Sequence, residues 1–357
     1  ARVSTAKISA SYLSFLGRQE YEITNGKGRN CQGVHMRIIA TAALILSLAT
    51  AGFAHHGGAS TSQGPGTPIE TNSPLTLPKG GTVVFTRAEL VPFQKFDRFN
   101  PENIDSFDFF QLGVSHGLTD YLTATAIVPY NSKTQDSFGN LQGVGDGKLL
   151  MTLGFNYSDD EGLQLNGEED TAVNLGESNK TYFGLIGGLT APSGRSDLQL
   201  QGVVDGGLQP GFGTPTATLG LAMTRGLSER LSISADASVE FFSRKSGGDK
   251  FGNEFRANLA GVYELHADKE SWLRRVDGIL ELNYLVISRD ETAFAPELAT
   301  GGRILYLSPG VRFQLGDVNV GALIKFPIVR GLNERVMQQG SEGLEQYRLL
   351  FTVSTFF

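Results

Sequence analysis

The chain has 357 residues, a formal net charge of −7, 40% hydrophobic residues and only 19% charged residues. This mildly acidic balance lacks the basic surface that nucleic-acid binding requires, so we expect no nucleic-acid partner. The length alone fits two ordinary domains, although all-β barrels routinely reach this size as one unit. We also expect no cofactor.

The first strongly hydrophobic segment begins at Met36. After one arginine, residues 38–48 form an apolar stretch, and small residues follow, with cleavage expected after Ala51 or Ala54. This layout predicts a secretory signal peptide over residues 36–54. A transmembrane helix is the alternative, because the uncharged run is about the minimum length that spans a bilayer.

Two other segments flank the predicted signal peptide. Residues 1–35 contain the only cysteine, Cys31, and we interpret them as an upstream extension translated from a wrongly chosen start. Residues 55–79 are rich in Gly, Pro, Ser and Thr, which predicts a flexible or plug-like arm rather than a packed element. His55 and His56 would open the mature chain, where adjacent imidazoles beside a free amine can bind Cu²⁺ or Ni²⁺. A polar linker without a metal is the alternative.

From residue 80 onward, apolar and polar residues alternate in runs of about ten, as in "LSISADASVEFFSR" at residues 231–244. Runs of this kind and length are typical of strands that cross a membrane in a closed barrel. We therefore predict an all-β fold over residues 80–357, a transmembrane antiparallel up-and-down β-barrel of about 12 strands. The runs start near residues 82, 104, 120, 147, 181, 214, 230, 253, 276, 302, 317 and 345.

The breaks between runs alternate in length. "SHGLTDY", "TRGLSERL" and "QLGDVNV" indicate tight turns on one side, and longer connections fall on the other, as in outer-membrane barrels. Residues 158–179 are long but belong to the short-turn side, so either that turn is extended or the strand count is wrong there. A soluble β-sandwich also alternates, but the long strands, the export signal and the mid-strand charges all disfavour it.

The chain ends on "YRLLFTVSTFF", an alternating segment that predicts a last strand pairing with the first, so that no sheet edge remains. The terminal phenylalanines resemble the C-terminal signal that the barrel assembly machinery reads. Aromatic residues near strand ends on the short-turn side predict a girdle at one membrane interface. These residues are Trp272, Tyr121, Phe356 and Phe357.

Charged residues recur on the face opposite the aliphatic residues, which predicts that they line the lumen. They form either a charge-lined path that orients a solute or a set of paired charges that fills and stiffens a narrow barrel. On this basis Leu282→Arg, on the lipid face, should cost about 2–4 kcal/mol, and Asn283→Lys, in the lumen, much less. The lumen candidates are Arg87, Glu89, Lys148, Asp236, Glu240, Arg244, Arg256, Glu264, Glu281, Arg289, Arg312, Lys325 and Arg348.

Catalytic chemistry finds little support in the sequence. Ser115 and His116 are a nucleophile and a base side by side, but neighbours on a strand point to opposite faces. "GVGDGK" at residues 143–148 departs from the phosphate-loop spacing and precedes a strand rather than a helix. We therefore expect no enzyme activity and no catalytic residue.

Six motifs in this order resemble an outer-membrane transporter family labelled "MetA-pathway of phenol degradation": "LVPFQKFD", "YLTATAIVPY", "GVGDGKLLMTLGFNY", "GLTAPSGRSD", "LQPGFGTPTATLGLAM" and "YLSPGVRFQL". The resemblance covers residues 56–357. It implies a barrel in the outer membrane of a Gram-negative bacterium that passes small, often hydrophobic or aromatic solutes. The expected partners are outer-membrane lipids, the barrel assembly machinery and an unidentified small solute. A plugged or purely structural barrel and an outer-membrane hydrolase are the alternatives.

Overall fold

The computed structural model describes residues 64, 66–94, 104–135, 139–170, 179–200, 202, 204, 206–298, 300–333 and 344–357. All of them fall in the second of two units of the chain, Ala49–Phe357. The predicted upstream extension at residues 1–35, the predicted signal peptide at residues 36–54, and His55 and His56 lie outside the described residues.

The described chain is built from β-strands and one short 3₁₀ helix, Glu168–Asp170. Within these residues, no helix has the length and apolarity needed to cross a membrane. The strands are β1 (Thr82–Pro92), β2 (Ile104–Thr119), β3 (Leu122–Gln135), β4 (Gly139–Val144), β5 (Lys148–Ser158), β6 (Gly162–Leu165), β7 (Thr181–Thr190), β8 (Thr216–Ser228), β9 (Leu231–Phe242), β10 (Glu254–Ala267), β11 (Leu273–Ile287), β12 (Glu291–Thr292), β13 (Ala295–Pro296), β14 (Gly302–Leu315), β15 (Val318–Leu332) and β16 (Arg348–Phe356).

Twelve of these strands close into one antiparallel barrel, which confirms the predicted fold class and strand number. The order around the barrel is β1, β2, β3, β5, β7, β8, β9, β10, β11, β14, β15 and β16. The last strand pairs with the first from Val83 opposite Phe356 to Leu90 opposite Leu349. Closure leaves no unpaired edge among the long strands, as a membrane-spanning sheet requires.

In the connection at residues 158–179, the described residues 158–170 and 179 add no strand to the twelve of the barrel wall, which favours an extended turn over a miscounted strand. After β5, the chain folds back as the short strand β6, with Ser158 opposite Gly162. Gly162 has φ of 70°, a left-handed conformation that glycine adopts without strain. Because β7 pairs with the other edge of β5, the hairpin adds to the short-turn end without changing the barrel.

The two faces of each strand differ as the alternation predicts. On β11, Leu280 and Leu282 point outward and are 54% and 39% exposed, whereas Glu281 points inward and is fully buried. Aliphatic residues therefore cover the outside of the barrel, and polar residues cover the inside. This is the reverse of a water-soluble barrel and suits a hydrocarbon surrounding.

Candidate functional site

The barrel interior contains most of the predicted lumen charges. A first group is deeply buried inside the wall: Arg87, Glu89, Asp236, Glu281, Arg312, Lys325 and Arg348. A second group is partly buried and ion-paired, with Lys148 bound to Glu240, Arg256 to Glu254, and Glu264 to Arg275. Arg244 and Arg289 differ from the expectation, because both lie beyond the ends of their strands and are exposed. They extend from the long-loop end of the wall and do not line its interior.

Residues 66–77, which we call the arm, run through the interior and are buried at every position. The sequence predicts a flexible or plug-like arm over residues 55–79, and the burial of residues 66–77 agrees with the plug-like alternative. The sequence shows no periodicity here because the arm is neither helix nor strand. Its backbone is held instead by side chains of the barrel wall, which supply the hydrogen bonds that a regular element would make within itself.

Glu281 of β11 is the main anchor of the arm. Its carboxylate accepts hydrogen bonds from the backbone N–H groups of Ile69, Glu70 and Thr71 at 2.8, 3.0 and 2.8 Å, and from the Thr71 hydroxyl at 2.6 Å. Such a group of converging N–H donors is a common way to hold an anion. Here the wall supplies the anion and the arm supplies the donors.

The arm bridges opposite walls of the barrel at mid-height. The Glu70 carboxylate accepts from Lys325 Nζ of β15 at 2.8 Å and is also paired with Arg87 of β1. Two residues later, the backbone N–H of Asn72 donates to Asp236 of β9 at 2.7 Å. Strands β1 and β9 lie on opposite sides of the twelve-strand ring. The arm therefore crosses the lumen at this height.

Both ends of the arm lie toward the short-turn end of the barrel. The backbone N–H of Gly66 donates to Asp277, near the start of β11, at 2.9 Å. At the other end, the N–H of Leu77 donates to Thr123, near the start of β3, at 2.8 Å. Between them Pro74 passes so close to β7 that a Cβ at Gly184 would lie 2.9 Å from its Cα atom. The arm is thus a loop that enters and leaves by one end.

The charges around the arm form a connected network. Arg348 Nη1 lies 2.8 Å from Glu89 Oε1, and Arg348 also holds Glu345, just before β16. Burial by itself raises the pKa of the Glu70 carboxyl, but the charges of Arg87 and Lys325 outweigh burial and hold that pKa well below its usual range. Glu70 is therefore ionised at neutral pH.

A second segment, which we call the loop cap, occupies the long-loop end of the interior and consists of residues 207–211 and 344–345. Asn131 Nδ2 donates to the carbonyl oxygen of Pro210 at 2.5 Å, and the Tyr306 hydroxyl donates to Glu345 at 2.8 Å. Leu208 completes an apolar cluster with wall residues. The partners in that cluster are Val91, Phe93, Phe107, Phe109 and Leu141.

The predicted girdle residues all lie at the short-turn end and are exposed. Tyr121 and Trp272 lie in turns between strands and are 36% and 74% exposed, while Phe356 and Phe357 end the chain at 39% and 46%. Phe356 and Phe357 lie next to the start of β1 because the first and last strands pair with each other.

The geometry of Ser115 and His116 agrees with their expected divergence. The Ser115 hydroxyl lies 2.8 Å from the Thr125 hydroxyl on the inner face, and His116 Nδ1 lies 2.8 Å from the Thr82 hydroxyl in an exposed position. The two side chains do not meet. Within the described residues, no group of three or more His, Cys, Asp or Glu side chains could hold a metal ion.

Several interior charges were not among the predicted ones. Asp277 and Glu254 lie on the inward-facing sets of β11 and β10, so strict alternation along those strands would have identified them. Glu70 and Glu345 lie in irregular segments, where no periodicity marks a face. For those two residues, only the folded structure shows a position inside the barrel.

The fold and its interior define a class of protein. A closed antiparallel barrel with an aliphatic exterior and a charged interior is a transmembrane β-barrel of the outer-membrane type. A family model described as "Putative MetA-pathway of phenol degradation" matches residues 119–328, more than half of the chain. The chain belongs to this family, which confirms the resemblance seen in the sequence. No curated protein sequence matches it significantly.

A solved structure shares this fold. The COG4313 outer membrane channel from Pseudomonas putida F1 has 14% sequence identity and a TM-score of 0.60, over 81% of this chain and all of that chain. The Pseudomonas putida toluene transporter TodX has 11% identity and a TM-score of 0.37, over 86% of this chain and 99% of that chain. LpxR from Salmonella typhimurium has 9% identity and a TM-score of 0.36, over 77% of this chain and 100% of that chain. The first supports the fold, and the other two are too distant to add to it.

Proposed function

We propose that the protein is a passive channel in the outer membrane of a Gram-negative bacterium that passes small hydrophobic or aromatic solutes without chemistry. The observation that carries this proposal is the bridge that the arm makes between opposite walls of a charged lumen. No strand contains any part of the arm. The arm can therefore leave the lumen while every pairing of the wall stays in place.

The bonds that hold the arm suit reversible obstruction. They run mainly from its backbone to wall carboxylates, and water or a polar solute can replace such hydrogen bonds at little net cost. Ile69 supplies an apolar contact at mid-height. A charged lumen with a displaceable constriction is the arrangement that selective pores use.

The direct test is single-channel conductance in planar lipid bilayers. We expect small or rare steps from the native chain, and larger, frequent steps when residues 66–77 are replaced by a Gly/Ser linker of equal length. Glu240→Gln serves as the matched control. Glu240 binds Lys148 and Thr216, so this substitution changes the lumen charge without removing a contact of the arm. Silence from a correctly folded linker variant would contradict the proposal.

A plugged, purely structural barrel is the second candidate, and the burial of the arm favours it. The same recording separates the two functions, because a structural barrel stays silent even after the arm is replaced. A hydrolase finds no support in the described residues, where Ser115 and His116 point to opposite faces.

The outer surface of the barrel supports the proposed binding partners of the protein. Outer-membrane lipids are the expected surrounding, because the outward side chains of the strands are aliphatic and exposed, such as Leu219 and Leu221, both 60%. The exposed pair Phe356 and Phe357 at the end of the closing strand supports recognition by the barrel assembly machinery. Removing both residues should lower the amount of folded barrel in the outer membrane, as measured by heat-modifiable gel mobility.

A further inference from the structure

We propose that Arg87 and Lys325 form a binding station for a small organic carboxylate with an apolar body, and that Ile69 and Glu70 of the arm occupy this station as a tethered mimic of that ligand. The inference rests on the proposed function, because a free ligand reaches the station through the lumen. It names the class of solute that the channel would take.

The polar half of the station is built around the Glu70 carboxylate. One oxygen accepts from Lys325 Nζ at 2.8 Å, and the other is paired with Arg87 Nη2. All three side chains are at most 4% exposed. One cation on each oxygen, contributed by different strands, is an arrangement that recognises carboxylates through charge-assisted hydrogen bonds.

Arg87 also has donors that the arm does not use. Its Nη2 atom is shared between Glu70 and Glu89, the latter at 3.1 Å. Within the described part of the chain, its buried Nε and Nη1 atoms have no hydrogen-bond partner. A guanidinium binds a carboxylate best through two parallel N–H···O bonds. A free carboxylate, unrestrained by the arm backbone, can turn to make both.

The apolar half of the station lies directly beside these cations. Leu323 is two residues before Lys325 on β15, so both side chains point inward as neighbours. Ile69 is 1% exposed and fills an aliphatic pocket there. The pocket is formed by Val262, Ile279, Leu323 and Leu350. A ligand that fills both halves needs a carboxylate and a compact aromatic or aliphatic group.

The burial of Glu70 is not explained by plugging alone. Ion pairs buried in a protein add little net stability, because desolvation of both charges offsets their attraction. Apolar side chains such as Ile69 would hold a permanent plug as well. A carboxylate at residue 70 instead makes the arm exchangeable with another carboxylate at the same cations.

The test is calorimetric titration of the purified full-length protein in detergent with benzoate, and with benzamide as the neutral analogue. In the native chain Glu70 competes for the station, so the apparent affinity is reduced by the fraction of time that the station is free. Glu70→Gln should therefore bind benzoate about tenfold or more tightly than the native chain. Adding Lys325→Gln to that variant should abolish the gain, and benzamide should show no such differences.

Lys180→Gln is the matched control, because Lys180 is an ion-paired lysine that binds Asp170 at 3.1 Å, away from the station. It should leave benzoate binding unchanged. Equal benzoate affinity in Glu70→Gln and the native chain, or equal gains for benzamide, would overturn the station. The expected benzoate binding together with silence of the folded Gly/Ser-linker variant in bilayers would overturn the channel and leave the station intact. Conductance of the linker variant without the expected benzoate binding would overturn the station and leave the channel intact.

Discussion

The arm and the loop cap both occupy the interior, but they are held there in different ways. The arm is anchored mainly by polar groups, chiefly the Glu281 carboxylate and the ion pairs of Glu70, and only single side chains, Ile69 and Leu77, join apolar clusters of the wall. The loop cap also makes hydrogen bonds, but it rests on an apolar cluster in which Phe107 and Phe93 pack edge to face, with ring centroids 4.8 Å apart.

This difference separates a movable part from a fixed one. Polar anchors have a small net free energy, because water replaces them when the segment leaves. An apolar cluster has no such replacement, so its loss carries the full transfer and cavity costs. We therefore expect the arm to open without unfolding the barrel, and the loop cap to open only with the wall strands that carry it.

The largest expected effect is on the loop cap. Phe107→Ala removes a 4%-exposed ring from the cluster and should lower the free energy of unfolding by about 3–5 kcal/mol. Urea unfolding in detergent, followed by circular dichroism, measures this change. Phe294→Ala, at a 69%-exposed loop position stacked on Arg244, should cost about 1 kcal/mol or less. An equal decrease in the free energy of unfolding for Phe107→Ala and Phe294→Ala would mean that the apolar cluster of the loop cap adds no stability.

A more local effect is expected at the arm anchor. Glu281→Ala leaves three buried N–H donors without their acceptor, which should weaken arm docking by about 3 kcal/mol. This corresponds to a roughly 100-fold faster maleimide labelling of Ser73→Cys, in a chain whose single native cysteine, Cys31, is replaced by serine. Ser73 is 2% exposed when the arm is docked.

Two controls sharpen that experiment. Glu240→Ala removes an interior carboxylate that pairs with Lys148, and it should leave the labelling rate within about twofold, as expected for a distant site. Leu282→Arg, on the outer face next to Glu281, should lower barrel stability by about 2–4 kcal/mol without speeding labelling. Faster labelling of Ser73→Cys in either control would show that a general loss of barrel stability releases the arm, and not the specific loss of its Glu281 anchor.

The smallest expected effect is that of pH. Because the folded-state pKa of Glu70 is lowered by Arg87 and Lys325, its contribution to docking is present above the ordinary carboxyl pKa of about 4.3. It is lost only as the pH falls through the lowered value. Hydrogen exchange over residues 66–77, corrected for intrinsic rates, should stay slow from pH 8 to about 5 and speed up only in stronger acid. Loss of protection between pH 7 and 5 would contradict this assignment.

The wall could be predicted from the sequence, and the contents of the lumen could not. Alternation is a local property, so strands such as β11 show which side chains share a face. The contacts of the arm join residues far apart in the chain, as between Thr71 and Glu281, 210 positions away. Nothing in the composition of a Gly/Pro-rich segment encodes such partners.

Asn283 shows the consequence for mutational expectations. The sequence indicates a tolerant lumen position, where Asn283→Lys would cost little. In the structure Asn283 is 3% exposed, donates to Asn258 at 3.2 Å and accepts from Ser308 at 2.6 Å. A lysine there would remove the acceptor of the Ser308 hydroxyl and place a cation beside the Glu281 carboxylate, which lies 3.3 Å from Asn283 Nδ2 and anchors the arm. The tolerant expectation is therefore withdrawn for this site.

The route of the arm also determines how it can move. Because the arm enters and leaves by the short-turn end, it is a simple loop that does not thread through the barrel. The closed pairing of β1 with β16 therefore does not trap it. Withdrawing residues 66–77 toward the short-turn end breaks no strand pair, and the C-terminal end stays tied to β2 through the hydrogen bond from the Gly80 N–H to the Gly117 carbonyl oxygen at 2.8 Å. The arm can therefore leave the lumen and return while its C-terminal end remains attached to β1.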